Sequence, residues 1–175
     1  MKNTRLVFLE TKSDCDTYLR EYYILKDIIF AIGPKVKYEL EIRNIKYLTF
    51  SDAWNNEEYK EALIKNRNKV DNLINDLDFY CKNNLKNDLE IGKYFSFQLW
   101  VIISQINFNI FFLKKAIKKF DPKNIIVFCK KEYITLLGFR PDPSSYIYDI
   151  LKNSTLKEEL NIEFIFSEKI HSKRS

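Results

Sequence analysis

The sequence predicts an α/β fold, a three-layer arrangement in which helices cover both faces of a mostly parallel sheet and two of those helices are long. Three observations carry that expectation. Short segments such as "LVFLE" (Leu6 to Glu10) and "NIIVF" (Asn124 to Phe128) are apolar on both sides, as strands buried on both faces are. They alternate with helical patterns rather than with tight turns. From Asn55 to Asn83 there is neither Gly nor Pro, and apolar residues recur at helical spacing.

Leu6 to Glu10 form the first strand, and "TKSDCD" follows as a loop in which Ser13 and Asp16 have the spacing of a capping box. The next helix carries Tyr18, Tyr22, Leu25 and Ile29 on one face and stops at Gly33-Pro34. "KVKYELEI" alternates and reads as an edge strand, with "IKYLTF" a more buried one. Tyr59, Leu63, Val70, Leu73, Leu77 and Tyr80 form the apolar stripe of the first long helix. The polar break "KNNLKNDLEIGK" leads to a second, from about Tyr94 to Phe120, which is apolar nearly all round. "NIIVFCK" is then a central strand fed by that helix. A helix around Ser144 to Asn153 and a strand "NIEFIFSE" close the order β-α-β-β-α-α-β-α-β. With no internal repeat and no linker, residues 1–168 read as one domain and 169–175 as a basic tail.

The composition bounds the function. The chain has 175 residues, 46% hydrophobic with 3 Gly and 4 Pro, which suits a packed domain rather than disorder. Its net charge of +5 arises from 29 basic residues interleaved with 24 acidic ones, so nucleic acid is not the expected partner. The local excesses "KKAIKKFDPK" and "HSKRS" read as helix-end and tail charges. Cys15, Cys81 and Cys129 are far apart and odd in number, which fits a reduced, cytoplasmic protein. The amino terminus has too short an apolar run for a secretory signal. Ser96, Gln98, Ser104, Gln105, Asn107 and Asn109 make the apolar helix too polar for an ordinary membrane span, while peripheral membrane contact stays open.

Open parallel sheets bind ligands beyond the carboxyl ends of their strands. That rule selects Glu10, Thr11, Ser13, Asp14, Ser51, Asp52, Lys130, Glu132, Arg140 and Asp142. Taken singly, each has an ordinary alternative role as a cap or a solvated loop residue. Neither a G-x-G-x-x-G nor a G-x-x-x-x-G-K-[ST] run is present, so no dinucleotide or triphosphate cofactor is expected. A single His, His171, excludes zinc-type and His-assisted nucleophilic sites. "RPD" and "ELEIR" contain nuclease-like fragments in the wrong order for a metal-dependent nuclease. Gln98, Gln105 and Asn109 draw a polar line along the second long helix, whose aromatics Phe95, Trp100, Phe108, Phe111 and Phe112 read as core.

Three stretches, "LVFLETKSDCDTYLREYYILKD", "IKYLTFSDAW" and "FDPKNIIVF", together resemble the amino-terminal Rossmann-like half of bacterial GT-B glycosyltransferases of surface carbohydrate synthesis. The resemblance implies an acceptor-binding role, with a catalytic base in the loop after the first strand. Asp14 would be that base, with Glu10 second, and the other selected residues would contact substrate. It also implies a sugar acceptor, or a partner domain holding the nucleotide sugar, as the binding partner. The Gly common in the family's first loop is absent, and so is the nucleotide-sugar half. The chain is then expected to be a fragment, a separated subunit, or a relative that keeps the fold without the reaction. The alternative is a stand-alone flavodoxin-like or receiver-like binding domain, with Glu10, Asp52 and Lys130 at strand ends.

Overall fold

Leu6, Val7, Phe8 and Leu9 are all buried, so the first strand has a packed layer on each side. The computed structural model describes residues 4–84, 90–129, 147–153 and 160–166. Its elements run β1 (Arg5–Leu9), α1 (Lys12–Glu21), β2 (Ile28–Ala31), α2 (Pro34–Ile42), a 3₁₀ turn (Phe50–Asp52), α3 (Asn56–Asn84), α4 (Ile91–Tyr94), α5 (Ser96–Phe120), β3 (Asn124–Cys129), α6 (Ile147–Lys152) and β4 (Asn161–Phe166). The fold is mixed α/β, with a four-stranded all-parallel sheet in the order β2-β1-β3-β4. Beyond β2, Leu48 makes a single parallel bridge to Phe30. The chain therefore steps outward from β1 through β2 towards Leu48, and later restarts at β3 on the opposite side of β1.

Two compact units emerge, one formed by Met1–Ala53 with Leu113–Ser175 and the other by Trp54–Phe112. In the sheet unit, Val7, Leu9, Ile29, Ala31, Ile126, Phe128 and Ile165 face Cys15 and Tyr18 of α1 and Val36 and Leu40 of α2. The alternate positions turn the other way. Phe8 stacks on Phe30, Phe30 meets Phe120 at the end of α5, and Phe164 meets Tyr148 of α6. The strand "NIIVFC" is thus internal, as its sequence indicates. α5 ends at Phe120; the positive φ of 44° at Asp121 closes the helix, and Pro122 prevents its continuation.

The helical unit contains α3, α4 and the first part of α5. Tyr59 and Phe108 meet edge to face, Trp54 packs on Tyr59, Phe108, Phe111 and Phe112, and Asn107 donates a 2.7 Å hydrogen bond to Asn66. Asp78 accepts from the Gly92 and Lys93 amides and so starts α4.

Several expected elements differ. "KVKYELEI" is a helix, not a strand, because Gly33 caps it, Pro34 supplies a preset φ at the first turn, and Val36 and Leu40 bury on one helical face. Its alternation had two apolar positions to spare, and Tyr38 and Ile42 are exposed. The first helix stops at Glu21, and "IIFA" is a strand that the longer helix expectation had absorbed. "IKYLTF" contributes the Leu48 bridge alone. The capping box of α1 is Thr11 with Asp14 rather than Ser13 with Asp16, which lets the helix begin at Lys12. On α3 the buried residues are Val70, Ile74 and Cys81, while Leu63, Leu73 and Tyr80 are exposed. Phe95 and Trp100 are likewise exposed rather than core, and α5 is long and apolar enough to cross a membrane by length and composition. The beginning of the helix around Ser144 lies outside the described residues.

One polar cluster ties β1, α1 and β2 together. The Asp27 carboxylate has a side chain only 3% exposed. It accepts from Arg5 Nε at 2.9 Å, from Arg5 Nη2, from Tyr18 Oη at 2.6 Å and from the Ile24 amide at 3.3 Å. Arg5 Nη2 also donates to the Tyr22 carbonyl at 2.7 Å. Asp27→Ala takes the carboxylate away from the Arg5 guanidinium and the Tyr18 phenol, and it is expected to lower the unfolding free energy by about 3 kcal/mol in urea titrations. Burial pushes the Cys15 thiol up from 9.0 to about 11. The unfolded thiol then ionises first, so its share of stability is complete below pH 9 and is lost as pH rises from 9 towards 11. Urea titrations at pH 8, 9.5 and 10.5 should show that decline, with a shallower one in Cys15→Val.

Candidate functional site

The order in which strands are added reverses between β1 and β3, and this directs attention to the residues just beyond the end of β1. Leu9 ends the strand, Glu10 follows, and Thr11 sits in extended backbone (φ −126°, ψ 162°) as the N-cap of α1. Thr11 Oγ1 accepts from the Asp14 amide at 3.2 Å. In return, Asp14 Oδ2 accepts from the Thr11 amide at 2.9 Å and from the Glu10 amide at 3.3 Å. The first turn of a helix favours such a negative charge. Thr-x-x-Asp is thus a closed reciprocal cap that also fixes the backbone of Glu10.

Burial distinguishes this turn from an ordinary surface cap. Glu10 is 6% exposed and Asp14 1%. Thr17, one turn further along α1, is also buried, and Asp14 Oδ1 and Thr17 Oγ1 find no hydrogen-bond partner among the described residues. The neighbouring strand end comes very close. The Ile32 amide donates to the Leu9 carbonyl at 2.9 Å, and a Cβ on Gly33 would lie 2.5 Å from the Glu10 carbonyl oxygen. Gly33 is required there by contact rather than by backbone angle, its φ being −90°. It caps α2 without a side chain, so the amino ends of α1 and α2 flank the same strand end. Ion pairs from Lys12 to Glu39 and from Arg43 to Asp16 link the two helices, and Arg43 also pairs with Glu39 at the end of α2. The Arg43 guanidinium is raised by its bond to Asp16, and the Lys12 amine by its bond to Glu39.

Glu10, Thr11, Ser13 and Asp14 are therefore gathered at one strand end. Ser51 and Asp52 sit in a different place, the exposed 3₁₀ turn that follows the Leu48 bridge. There Asp52 Oδ2 accepts from the Thr49 amide and hydroxyl, at 2.6 and 2.8 Å, and its carbonyl accepts from Lys119. Lys130, Glu132, Arg140 and Asp142 lie outside the described residues. Of the expected amide line on α5, Asn109 is fully buried, Gln105 half-buried and Gln98 exposed. Gly33 and Thr17 were not singled out by sequence. Thr17 lies three residues after Asp14, so helical spacing could have found it.

The two carboxylates and the buried hydroxyl can accept hydrogen bonds from a polyhydroxylated ligand, the backbone amides at the helix amino ends can donate to one, and a carboxylate can take a proton from one of its hydroxyls. Among the described residues, no group of three His, Cys, Asp or Glu side chains is arranged to hold a metal ion. No protein-family model matches the chain, and comparisons with curated proteins and with solved structures give no match either.

Asp14→Ala removes the carboxylate half of the cap and leaves the Glu10 and Thr11 amides without that acceptor; it is expected to cost about 2 kcal/mol in urea titrations, whereas Asp14→Asn, which keeps an acceptor, should cost less than half of that. Gly33→Ala should be worse than either, because backbone must move to admit the methyl group.

Proposed function

We propose that the chain is the acceptor-binding half of a GT-B-like glycosyltransferase, working with a second half that carries the nucleotide sugar. The observation that supports this reading is the all-parallel order Leu48-β2-β1-β3-β4, in which strands are added on one side of β1 and then on the other, as a Rossmann-like half would require. In such sheets the ligand crevice opens beside the first strand, and here Glu10 and Asp14 stand at that strand's end. In this role a carboxylate takes the acceptor hydroxyl's proton as its oxygen bonds to the anomeric carbon, and the nucleotide leaves with the electrons of the broken bond. Glu10, which directly follows the strand, takes the base role in this reading, while Asp14 Oδ2 is held by two backbone amides. Asp14 then acts through the loop, as a positioning residue.

A second reading is a binding domain without catalysis. The near-complete burial of both carboxylates favours it, since a base must reach its substrate.

Amide chemical shifts of the full chain, recorded against a panel of mono- and disaccharides, test the first reading. Binding should move the Glu10, Thr11 and Gly33 signals. Glu10→Gln should bind within about 10-fold of the wild type yet abolish transfer when a nucleotide-sugar-binding half is supplied, as loss of a general base does. Saccharide binding with no transfer in the presence of a nucleotide-sugar-binding half would assign the chain to the second reading, and transfer unaffected by Glu10→Gln would remove Glu10 as the base. No shift with any saccharide would remove the sugar-binding role altogether.

A further inference from the structure

The helical unit leaves a large apolar surface uncovered where α3 ends and α5 begins. On α5, Phe97, Trp100 and Val101 follow the i, i+3, i+4 spacing of one helix face, and all three are exposed, Phe97 by 71%. On α3, Leu73 and Tyr80, seven residues apart, share a face and are also exposed. Between the two helices, α4 adds Tyr94, 81% exposed, and Phe95, its ring 4.9 Å from that of Tyr94. Asp78 and the close approach of Gly92 to the Ile74 carbonyl anchor α4 on the last turns of α3, so these residues belong to one end of the hairpin.

We propose that this end of the helical hairpin is a homodimer interface, in which a second copy completes a four-helix bundle. Two helices alone bury one narrow seam, and a bundle is the usual way to cover the other apolar faces. The area is of the right size. Taking ~200 Å² for an exposed aromatic side chain, the patch offers roughly 700 Å², against about 800 Å² per partner in a stable interface and a few hundred for an ordinary monomer patch. The charges also suit self-pairing. Among the described residues near the patch, Lys82 and Lys93 face Asp76, Asp78 and Glu90 in number, with Lys93 paired to Glu90 and Asp78 engaged by backbone amides. A nearly neutral rim carries no self-repulsion across a two-fold axis, whereas an anionic bilayer would call for a basic one. Membrane crossing by α5 would also strip Leu113 and Ala116 from the core in which they are buried.

Light scattering on the full chain at 2, 20 and 200 µM tests the proposal. The mass should rise from 21.1 kDa to twice that value. The double variant Phe97→Glu/Trp100→Glu should remain monomeric at the highest concentration, with an unchanged far-UV spectrum and dimerisation weakened at least ~100-fold, as loss of central aromatic anchors does. Ile64→Glu, exposed on the first half of α3, should dimerise like the wild type. A wild-type monomer at 200 µM, a dimer indifferent to the double variant, or a monomer that sediments with neutral phosphatidylcholine vesicles would overturn the proposal. Should the double variant unfold, hydroxyl-radical footprinting of the wild type decides instead. Labelling of Phe97 and Trp100 should fall as concentration rises, and equal labelling would count against the interface.

Discussion

Asp27 fixes the level at which β1 and β2 lie side by side, and most of the sheet's geometry follows from that. A parallel strand pair has no hairpin to set its register, so something else must choose among slips. Here a buried carboxylate at the start of β2 gathers donors from β1, α1 and the intervening loop. Any slip of one residue would leave that charge buried without its partners, at a cost of several kcal/mol. With Leu6 opposite Ile28, Leu9 falls opposite Ala31 at the far end. Glu10 and Gly33 are thereby brought into contact at the opposite end of the strand. The pair's importance is in specifying one arrangement. A well-packed apolar replacement of the whole cluster could be as stable without choosing a register.

Local signals made much of this fold readable. The doubly apolar "LVFL" and "NIIVFC", the long helices free of Gly and Pro, and the Asp-Pro stop after Phe120 are each encoded within a few residues. What escaped was non-local. "KVKYELEI" satisfies a period of two and, through Val36 and Leu40, a period of four; only its cap decides between them. "IIFA" becomes a strand because Asp27 finds Arg5, 22 residues earlier, and no window contains both. The site shows the same division. Glu10, Thr11 and Asp14 could be chosen by position after a strand, whereas the capping pattern is read at Ser13 and Asp16 instead of Thr11 and Asp14. The need for Gly33 arises from a close contact between two strand ends, which a linear pattern does not display.

α5 shows how one uniform signal can have two outcomes. Its sequence is apolar nearly all round, which ordinarily marks a helix packed on several sides. From Phe112 onward that holds, with Leu113 and Ala116 buried. In its first turns the same kind of sequence leaves Phe97, Trp100 and Val101 in solvent. Hydrophobicity records that a surface needs covering; it does not record what covers it.

The pairing of β1 with β3 has a consequence during synthesis. Arg5 lies opposite Asn124, so the partner for that edge of β1 is made roughly 120 residues later. At about 5–20 residues per second, the ribosome delivers it on the order of ten seconds after β1 has emerged. Through that interval β1 and β2 can pair, but the other edge of β1 is an apolar strand with open backbone groups. The nascent chain must therefore carry its most aggregation-prone edge past the whole length of α3 and α5, and slow translation across those helices would prolong its exposure to chaperones and to neighbouring chains alike.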